Sequence, residues 1–265
     1  MIKVGIIGLG LIGGSILKAL SKNNKYELFC YSNSSYQKAF EYCKNASCDI
    51  RIVSDCDIIF TCCVASKTLE VLNTLHSFLN KNSVVVDVTS IKNNLLNKKF
   101  NFDFILSHPM AGTEKSGFEA SFKELFLDSK WLIEKENKIL IDIIQDLKAK
   151  PLKINMENHD ELCAQISHLP TILSFLLFDI ADNEALQIAS SGFRDSTRLS
   201  MTNSDLAFSM FKNNQENILK HFDKLIDRLN CLKNLSDDEK INLFEAIAQK
   251  RAKIYDINGK NIFKI

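Results

Sequence analysis

The stretch Ser107–Gly117, SHPMAGTEKSG, sets a histidine, a proline and two glycines just beyond a short apolar run, Phe104-Ile105-Leu106. The carboxyl end of a strand is where ligands bind in open α/β sheets, and the imidazole of His108 suits proton transfer near neutral pH. Pro109 fixes a turn, and Gly112 admits close approach of a bound molecule. A second chemical element opens the chain: residues 4–15 read VGIIGLGLIGGS, in which Gly8, Gly10 and Gly13 form G-x-G-x-x-G. With Leu9, Leu11 and Ile12 they make a dinucleotide-binding turn. Gly8 allows the tight turn, Gly10 lets a pyrophosphate approach the backbone, and Gly13 lets the next helix pack on the sheet with its unpaired N–H groups facing phosphate. The alternative is an unrelated glycine turn in an α/β fold. Of nine glycines, five lie within residues 5–14, two are Gly112 and Gly117, and one is Gly192 in SSGFRDSTR. Glycine is costly where the backbone does not need it, so these three places mark the candidate site.

The second strand of such a unit ordinarily ends in an acidic residue that bonds the adenosine ribose of NAD. Here it ends Cys30-Tyr31-Ser32-Asn33-Ser34-Ser35, with no carboxylate. Ser32 and Asn33 suit a 2′-phosphate, with Lys38 nearby, but no arginine is present to clamp it. The residues therefore leave NAD and NADP both open.

The elements that position these groups alternate. Strands are expected at Lys3–Ile7, Glu27–Tyr31, Asp57–Cys62, Ser83–Val88 and Asp103–Leu106, with shorter ones at Trp131–Ile133 and Leu152–Ile154. Helices are expected from Gly14, over Tyr36–Asn45 and over Ser66–Leu79. This pattern predicts an α/β fold, with an N-terminal Rossmann-type parallel sheet domain over residues 1–155. From residue 156 helical periodicity takes over, predicting an all-helical substrate and dimerisation domain over residues 156–265. Its helices are expected at His159–Ala181, kinked at Pro170, at Asp205–Asn230, and from a capping box at Ser236–Glu239 to Ile254. Residues Ile172–Ile180 are apolar on nearly every face, which predicts burial in a core or against a second subunit. His159 and His168, nine residues apart, are expected to point in opposed directions.

Composition narrows the classes. The formal net charge is +1 and 46% of residues are hydrophobic, so no long-range field favours nucleic acid or an anionic membrane. No apolar run reaches the roughly 18 residues of a membrane span, and the N-terminus lacks a signal-peptide cleavage site. A cytoplasmic protein is expected. The eight cysteines form no C-x-x-C pair, so reduced thiols are expected and no structural metal site is expected.

In order along the chain stand GLGLIGGS, a strand ending DVTSIK, HPMAGTEKSG, HDELCAQISHLP and GFRDSTR. Together they resemble prephenate dehydrogenase, over essentially the whole chain. The resemblance implies a nucleotide-binding domain followed by a helical domain that makes a homodimer. It implies oxidative decarboxylation of prephenate to 4-hydroxyphenylpyruvate in tyrosine biosynthesis, with hydride passing to NAD(P). NAD is the family's usual cofactor, and NADP stays open. The small-molecule substrate would meet His108 as the catalytic histidine and Ser90 as its partner on the same hydroxyl. Arg198 would bind a substrate carboxylate, His159 would stand on the substrate side, and Gly112, Thr113 and Glu114 would flank the pocket. Thr171 and Phe208 stand where many members carry histidine and tryptophan. An arogenate dehydrogenase is the alternative, since arogenate differs only by an amine for a keto group. A β-hydroxyacid dehydrogenase or a nucleotide-binding regulator without turnover are the further rivals.

Overall fold

The computed structural model describes residues 1–79, 82–256 and 259. The chain opens with β1 (Ile2–Ile7), α1 (Leu11–Leu20), β2 (Tyr26–Tyr31), the single turn α2 (Tyr36–Ala39) and β3 (Asn45–Ser47). It continues through β4 (Ile58–Thr61), α3 (Ala65–His76), β5 (Val84–Asp87), β6 (Asp103–Pro109), β7 (Lys130–Ile133), α4 (Lys138–Asp146) and β8 (Lys150–Lys153). These strands form one eight-stranded sheet in the order β3-β2-β1-β4-β5-β6-β7-β8. Every neighbouring pair is parallel except β6 with β7. The helix expected over Tyr36–Asn45 is cut short because Asn45–Ser47 pairs with β2 as an edge strand.

The central strands read as continuous apolar runs because both their faces are covered: all four residues of β4 and all four of β5 are buried. Alternate side chains feed two cores. Phe60, Val86 and Trp131 pack on one face, and Ile59, Val85 and Leu132 on the other. Strand order reverses between β1 and β4, so the loops leaving these two strands part and open a crevice. The glycine turn sits there. Gly8 has φ +94°, and a Cβ on it would meet the Cys62 carbonyl at 2.7 Å. A Cβ on Gly13 would lie 2.0 Å from the Gly8 carbonyl oxygen, while one on Gly10 would meet nothing within 4 Å.

Two buried polar contacts fix the far ends of β5 and β6. Trp131 Nε1 donates to Ser107 Oγ at 3.1 Å, and Ser107 Oγ donates to the Asp87 carbonyl at 2.8 Å. Beside them Lys92 and Asp87, both fully buried, form an ion pair. The Lys92 ammonium also donates to the Thr89 carbonyl at 2.7 Å.

The helical part begins with α5 (His159–Cys163), a wide turn over Ala164–His168, and α6 (Leu169–Asp179). In that turn the Leu169 N–H bonds the Ala164 carbonyl five residues back. The expected kink at Pro170 is thus a π turn just ahead of it, where the chain re-pairs around the N–H that proline lacks. The helical run Met156–Asp179 is long and apolar enough to cross a bilayer by length and composition, contrary to the expectation that no segment is. It carries His159, Asp160 and His168 buried, and His159 and His168 are bonded as in a core helix. Then follow α7 (Asn183–Gln187), α8 (Ser191–Thr197), α9 (Ser204–Asn213), α10 (Gln215–Asn234) and α11 (Asp237–Ala252). The helix expected over Asp205–Asn230 is two, broken at Asn214, whose amide donates to the Asp160 carbonyl at 2.7 Å and meets His168 Nδ1 at 3.0 Å. The capping box at Ser236 and Glu239 is formed. Leu176, Phe178 and Ile180 are exposed in the single chain, so the all-apolar stretch is not buried within one protomer.

Strands stop near residue 155, but contacts group Met1–Ile218 as one compact unit and Leu219–Ile265 as a second. Helices α5 to α9 therefore belong with the sheet, because the bonds of Asp160 and Asn214 tie them into it.

Two stability tests follow from this packing. Gly13→Ala should cost about 3 kcal/mol or more, because backbone must move, whereas Gly10→Ala should leave thermal stability near wild type. Paired calorimetric melts check the contrast. Asp87→Asn, which leaves Lys92 buried without a counter-charge, should cost about 3–5 kcal/mol in denaturant titration.

Candidate active site

A cavity of about 700 Å³ runs along the carboxyl edge of the sheet. It extends from Gly10–Ile12 after β1, past Cys62–Ser66 after β4 and Val88–Ile91 after β5, to His108–Thr113 after β6. Asn203 and α9 residues including Asp205 and Met210 close its other side. The glycine end suits a diphosphate. Gly10 is the N-cap of α1 and offers no side chain to its first N–H groups, and no acidic residue stands in the first turn. Gly8, Leu9 and Gly13 shape this turn from behind without lining the cavity. At the end of β2, Ser32 Oγ accepts the Ser35 N–H at 3.1 Å and Asn33 Oδ1 accepts the Tyr31 hydroxyl at 2.7 Å. Both side chains are engaged in the local turn, and neither lines the cavity.

At the opposite end His108 is held by its strand. Asp87 pairs with Leu106 on the β5 side, and His108 pairs with Leu132 on the antiparallel side. His108 Nδ1 lies 2.9 Å from His159 Nε2, and His159 Nδ1 lies 2.6 Å from Asp160 Oδ1. Asp160 also accepts the backbone N–H groups of Lys92 at 2.9 Å and Asn93 at 2.8 Å. Burial pushes the Asp160 carboxyl up, but the bonds from His159, Lys92 and Asn93 outweigh it and leave it below its ordinary value. An ionised Asp160 fixes the hydrogen of His159 on Nδ1. His159 Nε2 then accepts the hydrogen on His108 Nδ1, and His108 Nε2 keeps a lone pair for the cavity. Burial, then the neighbouring His159 and Lys92, hold the His108 imidazole well below its ordinary value, so it stands neutral.

The structure brings His108, His159, Ser90, Gly112 and Thr113 together. Ser90 is half-buried and lines the cavity. The Thr113 hydroxyl is occupied by the Lys115 N–H at 3.2 Å. His159 reaches the cavity only through His108. It is fully buried, so it orients the other imidazole rather than meeting a ligand directly.

Glu114, Arg198 and Phe208 are not brought to this cavity. Glu114 is exposed and lines an adjoining depression that shares Lys115, Ser116 and Asn203 with the cavity. Arg198 is exposed at the end of α8. Among the described residues lining the cavity, Lys115 is the cationic one. Phe208 is 65% exposed. Thr171 is buried and donates to the Ser167 carbonyl at 2.9 Å, so its hydroxyl serves its own helix. His168 does not point away from His159 as an uninterrupted helix requires. The π turn absorbs a residue, and both histidines join one buried network through Asp160 and Asn214. Burial pushes the His168 imidazole down to about 4.

Sequence reasoning missed Asp160, Lys92, Asp87 and Cys163. Asp87 and Lys92 both stand in DVTSIK, but their five-residue spacing is no helix or strand period, and only the turn that brings them together reveals the pair.

The comparisons with known proteins agree with this architecture. Residues 18–151 match the family described as prephenate dehydrogenase, nucleotide-binding domain, and residues 155–249 match prephenate dehydrogenase, dimerization domain. A prephenate dehydrogenase of Lactococcus lactis is 30% identical over 251 residues, covering 85% of this chain and 70% of that protein. The structure of prephenate dehydrogenase from A. aeolicus, in complex with hydroxyphenyl propionate and NAD+, superposes with a TM-score of 0.82 at 26% identity, covering 96% of this chain and 98% of that one. Synechocystis arogenate dehydrogenase superposes with a TM-score of 0.81 at 27% identity, covering 95% and 99%. With both of its domains matched in order around one cavity, this chain belongs to the prephenate dehydrogenase family.

Proposed function

We propose that this protein is an NAD(P)-dependent oxidoreductase that converts prephenate to 4-hydroxyphenylpyruvate in tyrosine biosynthesis, with NAD as its cofactor. The observation that carries the reading is the placement of His108. Its Nδ1 is tied through His159 to Asp160, and it faces the same cavity as the glycine turn. Gly10 and the first turn of α1 hold the cofactor diphosphate, and bound NAD supplies the hydride acceptor. His108 Nε2 takes the proton of the ring hydroxyl as hydride leaves the same carbon, and Ser90 holds that hydroxyl in line. Carbon dioxide then departs and the ring becomes aromatic, which supplies the driving force. The residues have only to align the reacting carbon and manage one proton. A proton on the imidazole pair is matched by the cluster's charges, since Asp160 and Asp87 carry two negative charges against the one positive charge of Lys92. Lys115 is the cation within reach of a substrate carboxylate.

Residues 1–155 bind the nucleotide in this reading, and residues 156–265 complete the substrate side and make a cytoplasmic homodimer. The exposed Leu176 and Phe178 of α6, with Ile180 just after it, suit such an interface. No nucleic acid or membrane takes part.

Asp205 on the cavity wall favours a second reading, arogenate as substrate, because a carboxylate there suits an amine. The test is nicotinamide reduction followed by near-ultraviolet absorbance, crossing prephenate and arogenate with NAD and NADP. The prephenate and NAD combination is expected to be fastest; silence in all four would refute the reading.

Two further outcomes are expected. His108→Asn should lower turnover by about 10²-fold or more with nucleotide affinity unchanged in a binding titration. Retained turnover would remove His108 from the role of base. In the wild type, kcat/KM should stay level as pH falls through about 6.5, the ordinary histidine value, and decline only below it, where the lowered imidazole finally takes up a proton and loses its lone pair. An acid limb centred at or above that value would contradict a neutral base.

A further inference from the structure

Cys163 lies one turn beyond His159 on α5, so the two side chains share a helix face. The thiol plays no part in the proton relay, yet it closes a triangle with it. Cys163 Sγ is 3.4 Å from His159 Nε2 and 3.8 Å from His108 Nδ1, and the two nitrogens are 2.9 Å apart. Tetrahedral zinc bound by imidazole and thiolate sets N···N near about 3.3 Å and N···S near about 3.6 Å. The short side of the triangle has to open by about 0.4 Å, and the two N···S sides have to shift by about 0.2 Å each.

We propose that His108, His159 and Cys163 form a three-ligand site for zinc behind the His108 ring, and that zinc bound there switches the enzyme off. Three observations support it. His159 is already oriented as a metal ligand, with Nδ1 bonded to Asp160 and Nε2 turned to the triangle, the carboxylate–histidine arrangement that supports bound zinc. The charges close, because the cation's two positive charges meet one negative charge on the thiolate and one on Asp160, while Lys92 and Asp87 cancel each other. The ligand set, two imidazoles and one thiolate, favours zinc and cobalt over magnesium or calcium. The sequence gives no paired-ligand motif because the third ligand comes from 55 residues away, on another element.

Inhibition follows from the proton balance. On binding, the Cys163 S–H proton goes to solvent and sulfur donates its electron pair to the metal. His108 gives its Nδ1 lone pair to the metal, so its single hydrogen moves to Nε2. The nitrogen that faced the cavity as an acceptor becomes a donor and cannot take the substrate proton. This last step rests on the reading of His108 as the base; binding of the metal does not.

The experiment titrates cobalt into the reduced, full-length protein freed of metal by chelator, in the wild type and in Cys163→Ala. One equivalent should raise a thiolate-to-cobalt charge-transfer band with intense tetrahedral visible bands, displaced by zinc, and Cys163→Ala should lack them. In the dehydrogenase assay Cys163→Ala should keep basal turnover and need at least about tenfold more zinc for the same inhibition. No band in the wild type, or the same band in Cys163→Ala, would overturn the site. A cobalt band with turnover untouched by zinc would overturn the switch while leaving the site.

Discussion

The Asp160 carboxylate is the contact on which the site depends. It accepts from three directions: the His159 ring on its own helix and the backbone N–H groups of Lys92 and Asn93 in the loop after β5. A buried carboxylate is costly unless its lone pairs are filled. Filling them here fixes helix α5 against the sheet and sets the tautomer of His159. The same loop turns back on itself through the buried Asp87–Lys92 pair, so its N–H groups arrive already ordered. Removing either acid loosens helix and loop together.

From that anchor the chemistry spreads outward by hydrogen bonds. His159 orients His108, and His108 is further held by β7, whose Trp131 locks Ser107 beside it. His108 is thus set before any ligand arrives, neutral because it is buried and aimed because its other nitrogen is occupied. At the other end of the cavity preparation takes the form of empty space. Gly10 leaves the approach to α1 open, while Gly13 is filled to contact. The strand-order reversal between β1 and β4 makes one crevice serve both ends. The thiol of Cys163 stands beside this chain of hydrogen bonds, 3.4 Å from His159 Nε2. Burial and the neighbouring Asp160 push it up to about 12, so without a metal it stays a protonated, packed side chain.

The helical part shows how polar anchoring reshapes regular structure. Asn214 interrupts what periodicity alone makes one helix, because its amide is needed by Asp160 and His168. The π turn ahead of Pro170 rotates His168 into the same network. Apolar side chains left on α6 are then free to serve an interface, in keeping with the match of residues 155–249 to a dimerization domain.

What the sequence determined by itself was whatever depends on local rules. The glycine turn, the alternation of apolar strands with helices, and a histidine at a strand end each follow from a few neighbouring residues, so fold class and His108 were legible. So was the capping box at Ser236, whose partners are three residues apart. The family motifs carried Ser90, Gly112 and Thr113 to the cavity but also promised Arg198, Glu114 and Phe208, which the single chain leaves outside it. Only the tertiary structure decided that Asp160 stands behind His159 and His108, that Lys92 is buried against Asp87, and that Cys163 completes a triangle with two histidines. Each of these joins residues on different elements, and such contacts leave no period in the chain, because long-range packing and the need to satisfy buried charge select the partners, not spacing.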